Sequence, residues 1–201
     1  MLNQAINVFD FLKIKYPDRA QRMALYYLPA ISSCIISAIV IVVSIIGGEG
    51  SNFLFSNKFN DLLTLIAILP GFYIAALSAV SAINRDAVDN IINPNSPPTI
   101  KKKEPNRAEY YDDPLTRRVF LSMLFAYLAT LSLLLAIFLI FIRFLFSLKF
   151  LESFVHLSSF TELSTLIFTV INFIVFFLIT QLIVLTLVGV NYLGYKALVD
   201  G

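Results

Sequence analysis

The sequence predicts an all-α, polytopic integral membrane protein with four transmembrane helices and both termini in the cytoplasm. Three observations carry this. Four long apolar runs, 23–47, 62–83, 119–142 and 163–192, take up about half of the 201-residue chain, and each reaches the roughly 20 helical residues that cross the hydrocarbon of a bilayer. Only 14% of the residues are charged, against about 25% in a typical soluble domain, and those charges gather in the connecting segments. The basic residues also divide by side. Lys13, Lys15, Arg19 and Arg22 precede the first run. Arg85, Lys101, Lys102, Lys103, Arg107, Arg117 and Arg118 lie between the second and third, and Lys196 follows the fourth. The other two connections hold only Lys58 and Lys149. Basic loops stay inside, so the N-terminus, the central loop and the C-terminus are expected in the cytoplasm.

The runs leave no space for a soluble domain of ordinary size, so residues 1–201 are read as a single membrane domain. The first run begins only at Met23 and exceeds the 7–15 residues of a signal-peptide core, so it reads as a retained anchor. Leu2 stands where myristoylation needs glycine, and the C-terminus carries no prenylation box. Cys34 is the one cysteine and His156 the one histidine. That excludes an intramolecular disulfide and an ordinary structural zinc site. No cofactor is expected.

Residues 1–17 predict an amphipathic helix. Leu2, Ile6, Phe9 and Leu12 share a face at helical spacing, followed by Lys13 and Lys15. Two placements fit: in the inner membrane interface, or packed beneath the bundle. Tyr16-Pro17-Asp18 breaks it, with Asp18 as N-cap of the first span. That span holds Pro29 near its start, which favours a kink. It also holds Ser33 and Ser37, a small pair one turn apart suited to close helix contact. Gly47-Gly48 ends it, and a short polar loop runs to Asp61.

The second span carries a ridge of small residues, Ala67, Gly71, Ala75, Ser78 and Ala82, of the kind that lets helices associate in lipid. Pro70-Gly71 predicts a bend. The helix is expected to continue through 84–92 and stop before Pro94. The cytoplasmic loop, about 93–113, contains Pro94, Pro97, Pro98 and Pro105, which argue against regular structure. Asp113-Pro114 predicts the cap and first turn of the third helix, with Arg117 and Arg118 where it meets the membrane. Ser122, Ala126, Ala129 and Ala136 are its small positions. The segment 144–160 is apolar for a loop and predicts an interfacial stretch. The fourth run is longer than a bilayer requires and must tilt or project. Along it Thr165, Thr169, Asn172, Thr180 and Asn191 fall within an arc of about 100°. Thr186 lies just outside that arc and Gln181 on the other side.

Three groups of residues are candidates for function. Lys101, Lys102, Lys103 and Arg107, with Tyr110, Tyr111, Arg117 and Arg118, suit docking of a cytosolic protein or of anionic lipid headgroups. Glu104, Glu109, Asp112 and Asp113 dilute that patch, so direct nucleic-acid binding is not expected. The polar stripe of the fourth span, centred on Asn172, suits either interhelical hydrogen bonds or a pore lining. Arg143, at the end of the third span, suits a pore mouth, or snorkelling to headgroups or pairing with Glu152 or Glu162. No Asp, Glu or His lies mid-span, which argues against an ion-coupled pump. The sequence shows no nucleophile–base pair, phosphate loop or metal cluster, so no enzymatic activity is expected. Two readings follow: a non-enzymatic subunit that forms a homo-oligomer and docks a cytosolic partner, or an ion channel or membrane-permeabilising effector. A small transporter ranks below both, since the two halves show no internal repeat.

The layout resembles the four-span membrane subunit of the Kiwa anti-phage defence system. The resemblance rests on chain length, four spans with both ends inside, and the start of the third span, Leu115-Thr116-Arg117-Arg118-Val119-Phe120-Leu121. It implies a homo-oligomer in the inner membrane that senses phage attack and works with a cytosolic DNA-binding partner. It supplies no site residues for this chain.

Overall fold

A computed structural model describes residues 6–17, 23–46, 57–83, 89–103, 110–147 and 161–193. Four α-helices dominate: α1 (Leu28–Ile46), α2 (Asn57–Ala82), α3 (Arg117–Ser147) and α4 (Thr161–Asn191). Between α2 and α3 the chain forms two strands, β1 (Thr99–Lys103) and β2 (Tyr110–Pro114). Each of the four helices contains a stretch long and apolar enough to cross a membrane: Leu25–Val43, Phe59–Ala82, Arg117–Leu145 and Thr169–Asn191. The architecture is that of a helical multi-pass membrane protein.

The helices form where the apolar runs predict them, with shifted ends. A five-residue π-turn, Met23–Tyr27, precedes α1. α2 starts at Asn57, ahead of the polar loop's expected end at Asp61, and stays helical through Pro70. α3 and α4 have 31 residues each. At 1.5 Å per residue they are about 46 Å long, well beyond the ~30 Å of hydrocarbon. α3 therefore takes in 144–147, read from sequence as interfacial; residues 148–160, Gly47-Gly48 and Asp18 lie outside the described residues.

Contacts divide the chain into two compact units. One comprises Tyr26–Leu69 and Leu131–Leu182. In it α1 buries a thin stripe one turn apart: Pro29, Ser33 and Ser37. Its branched residues Ile31, Ile35, Ile39, Val42 and Val43 face outward, as lipid-facing positions do. Ser33 donates to the Ala30 carbonyl at 2.9 Å, keeping its hydroxyl satisfied within the helix. Among the described residues Leu135, Leu139 and Val175 are the fully enclosed apolar side chains of α3 and α4 in this unit.

The other unit comprises Met1–Leu25, Pro70–Thr130 and Ile183–Gly201. Among the described residues Leu115, Leu124, Leu128 and Leu185 are its fully buried leucines, with Val80 from α2. Gly189 on α4 sits against α3: an added Cβ would lie 3.0 Å from Phe125 Cζ and 3.2 Å from Leu124 Cδ2. Glycine is what allows that approach.

Two expectations for the central connection are overturned. It holds a β-hairpin, antiparallel and in the register Thr99↔Pro114 to Lys103↔Tyr110, where the prolines argued against regular structure. Pro94, Pro97 and Pro98 all precede β1, and the run 99–103 is free of proline. Likewise 91–92 is not a continuation of the α2 helix. Ile91 bridges Thr116, and the Ile92 N–H donates to the Leu115 carbonyl at 3.1 Å. Pro114 consequently ends a strand rather than opening α3. The cap of α3 is Thr116, whose Oγ1 accepts from the Val119 N–H at 3.4 Å, the third helical amide as capping requires.

Candidate functional site

The polar end of the second unit is the most elaborated part of the chain, built around Leu115. This side chain is 1% exposed. Its N–H donates to the Pro98 carbonyl at 3.0 Å and its carbonyl accepts from Ile92 at 3.1 Å. Residues 93–97 therefore bulge out between two pairings on the same residue. Asn93 takes a left-handed φ of 47°, a conformation asparagine tolerates better than most residues, and Ser96 N–H closes the turn on its carbonyl at 3.0 Å.

The N-terminal segment packs against this arm and the start of α3. Asn7–Lys13 is a 3-10 helix, not an α-helix. At three residues per turn Phe11 and Ile14 share a face, and these are buried, while Ile6 and Leu12 are exposed. Phe11 stacks on Tyr127 with ring centroids 5.2 Å apart and lies 6.0 Å from Phe120. Phe120 in turn meets Tyr192 at 5.5 Å. The chain then runs beside β1: Lys15 and Thr99 exchange both backbone hydrogen bonds, at 2.9 and 3.1 Å.

Much of the expected basic patch is spent internally. Lys15 Nζ pairs with Asp112 at 3.1 Å and Lys102 with Asp113 at 2.5 Å. Arg118 holds Asp89 in two hydrogen bonds, of 2.7 and 3.0 Å. The Arg118 bonds keep the Asp89 carboxyl below its ordinary range. The Asp113 bond raises the Lys102 ammonium above its own. Exposed pairs like these contribute little one by one, but together they set the arm's shape. Arg117 is half-buried, and Arg107 and the Lys103 side chain lie outside the described residues. What remains outward is Lys101, with Tyr110 67% and Tyr111 47% exposed.

The other candidates separate. Ser33 and Ser37 pack inside the chain, whereas Ala67, Gly71, Ala75, Ser78 and Ala82 are all exposed. A Cβ on Gly71 would meet nothing within 4 Å. α2 instead buries Phe59, Ile66, Tyr73 and Val80, one every seven residues. Of the polar stripe, Asn172 and Thr180 are buried, Thr169 is half-buried and Asn191 exposed; the Thr165 side chain lies outside the described residues. Gln181, placed off the stripe from sequence, is buried as well. Thr180 Oγ1 sits 2.8 Å from the Phe176 carbonyl and 3.2 Å from that of Pro29. Sequence reasoning missed the bond between Tyr73 Oη and Thr186 Oγ1, 2.6 Å long. Arg143 Nη1 donates to Asn60 Oδ1, a partner not anticipated; the side chains of Glu152 and Glu162 lie outside the described residues. No metal-binding group of three His, Cys, Asp or Glu occurs among the described residues.

The fold and this end define a four-span helical membrane protein carrying a β-arm between its second and third helices. Comparison with family models, curated proteins and solved structures found no match to the chain.

Proposed function

We propose that this chain is a non-enzymatic, oligomeric inner-membrane subunit whose cytoplasmic β-arm docks a cytosolic protein partner. The observation that carries the reading is the arm itself. The longest polar connection is ordered by strand pairing, ion pairs and the N-terminal segment, yet it leaves Tyr110, Tyr111 and Lys101 exposed. Tyrosine beside a cation is a common anchor of protein interfaces. The distribution of basic residues supports a cytoplasmic position for the arm and both termini. The exposed small-residue stripe of α2 supports contact between copies in the membrane. The resemblance to the Kiwa membrane subunit supports a role in sensing phage attack. Burial of Asn172 and Thr180 inside the chain favours interhelical bonding over a pore along that stripe.

Purification from native membranes tests the reading, with a co-transcribed soluble protein as the expected prey. The wild-type chain is expected to retain it in fixed stoichiometry. Tyr110→Ala with Tyr111→Ala is expected to lose it, and to lose protection against phage, while still inserting in the membrane. A wild-type complex composed of this chain alone would overturn the docking role.

A further inference from the structure

The hairpin has two outer edges, and Lys15 occupies only the Thr99 end of the β1 edge. Thr99 spends its N–H and carbonyl on Lys15, so these groups point away from β2. Backbone direction alternates along a strand, so Lys101 and Lys103 also point outward on β1. By the register, Tyr110 and Asp112 point outward on β2. Among the described residues no backbone hydrogen bond outside the hairpin reaches Lys101, Tyr110 or Asp112. Open strand edges of this kind template pairing with another strand.

We infer that the occupant of each edge is a second copy of this chain, β1 of one copy pairing with β2 of the next. Charge points to this partner. β1 reads Thr-Ile-Lys-Lys-Lys and β2 Tyr-Tyr-Asp-Asp-Pro. The two sequences already pair within one chain, with Lys102 on Asp113. Two β1 edges would set lysines together and two β2 edges aspartates, each unfavourable. A β1–β2 contact between copies is head-to-tail, and head-to-tail contacts generate rings where the rotation closes.

Geometry points the same way. Copies inserted in one membrane with one topology are related by rotation about the membrane normal, so equivalent residues stand at equal height. With the in-hairpin register repeated between copies, Lys101 of one copy faces Asp112 of the next, and Lys103 faces Tyr110. Those are the positions whose backbone groups face outward on both strands. On β1 this pairing continues from Thr99, already occupied by Lys15. On β2 it stops at Pro114, which has no N–H to give. The inference rests on the oligomeric reading above and specifies where the copies touch outside the membrane.

The test uses two differently tagged full-length chains in a Cys34→Ser background, one with Lys101→Cys and the other with Asp112→Cys, co-expressed. Each chain holds a single cysteine, so a disulfide can form only between copies. Mild oxidation in native membranes is expected to give a dimer carrying both tags. As the control, Asp112→Cys paired with Lys102→Cys, whose backbone faces inward and whose side chain lies on the other sheet face, is expected to cross-link far less. A chain with Lys101→Pro loses only an outward N–H and is expected to lower the oligomer mass in native mass spectrometry. No mixed dimer from an oligomer of intact mass would overturn the edge contact and leave the oligomer standing. A strictly monomeric wild-type chain would overturn both. Equal cross-linking at Lys102 would overturn the register.

Discussion

Tyr73 and Thr186 show what a hydroxyl does inside an apolar unit. Their oxygens lie 2.6 Å apart, and Tyr73 also stacks on Phe125 at 6.5 Å. Tyr73→Phe keeps the ring and removes the bond, so it is expected to cost about 0.6 kcal/mol, the average for interhelical bonds in a membrane protein. Unfolding in detergent–SDS mixtures measures this. A double-mutant cycle with Thr186→Val isolates the pair. Asp89 makes a second residue-scale prediction. Its carboxyl is held below the ordinary range by Arg118, so the folded state favours the charged form. Its contribution is fully present above the unfolded carboxyl value and is lost as pH falls through the lowered folded one. Asp89→Asn is expected to remove that acid-side dependence, read as hydrogen exchange at the Ile92 and Arg117 amides corrected for intrinsic rate. An unchanged acid-side slope would detach the pair from the stability of the arm.

Elements differ in how far they were legible in the sequence. The four spans were plain because twenty apolar residues have few other uses. Which face of a span turns inward was not plain, because inner and outer faces of a membrane helix are both apolar. On α2 the small ridge drew attention, yet Phe59, Ile66, Tyr73 and Val80 are the buried set. The hairpin was hidden by neighbouring prolines. Its signal was the proline-free 99–103 and the β-prone Tyr110-Tyr111, five residues each when paired. The N-terminal turn was read on the wrong face: Ile6, Phe9 and Leu12 also line up at three residues per turn, but Phe11 and Ile14 are the buried pair. Two glycines test the helix-scale account. Gly189→Ala places a Cβ 3.0 Å from the Phe125 ring and is expected to destabilise the chain by about 1–3 kcal/mol, the usual cost of overpacking. Gly71→Leu projects into open space in a single chain. It is expected to leave the unfolding midpoint of the monomer nearly unchanged while weakening association between copies, measured by detergent-dilution energy transfer.

For the whole molecule, two compact units and an ordered β-arm follow from one chain with almost no charge in its spans. Apolar length sets the membrane architecture, small and hydroxyl residues settle the contacts within it, and the polar groups collect at the arm. The docking proposal depends on the arm facing the cytoplasm. Thiol labelling with a membrane-impermeant reagent tests this most directly, in a Cys34→Ser background. Ser96→Cys, in the arm's bulge, is expected to be labelled only after permeabilisation, and Lys58→Cys, at the start of α2, in intact spheroplasts. The reverse pattern would place the arm outside the cell and contradict the account of a cytosolic partner.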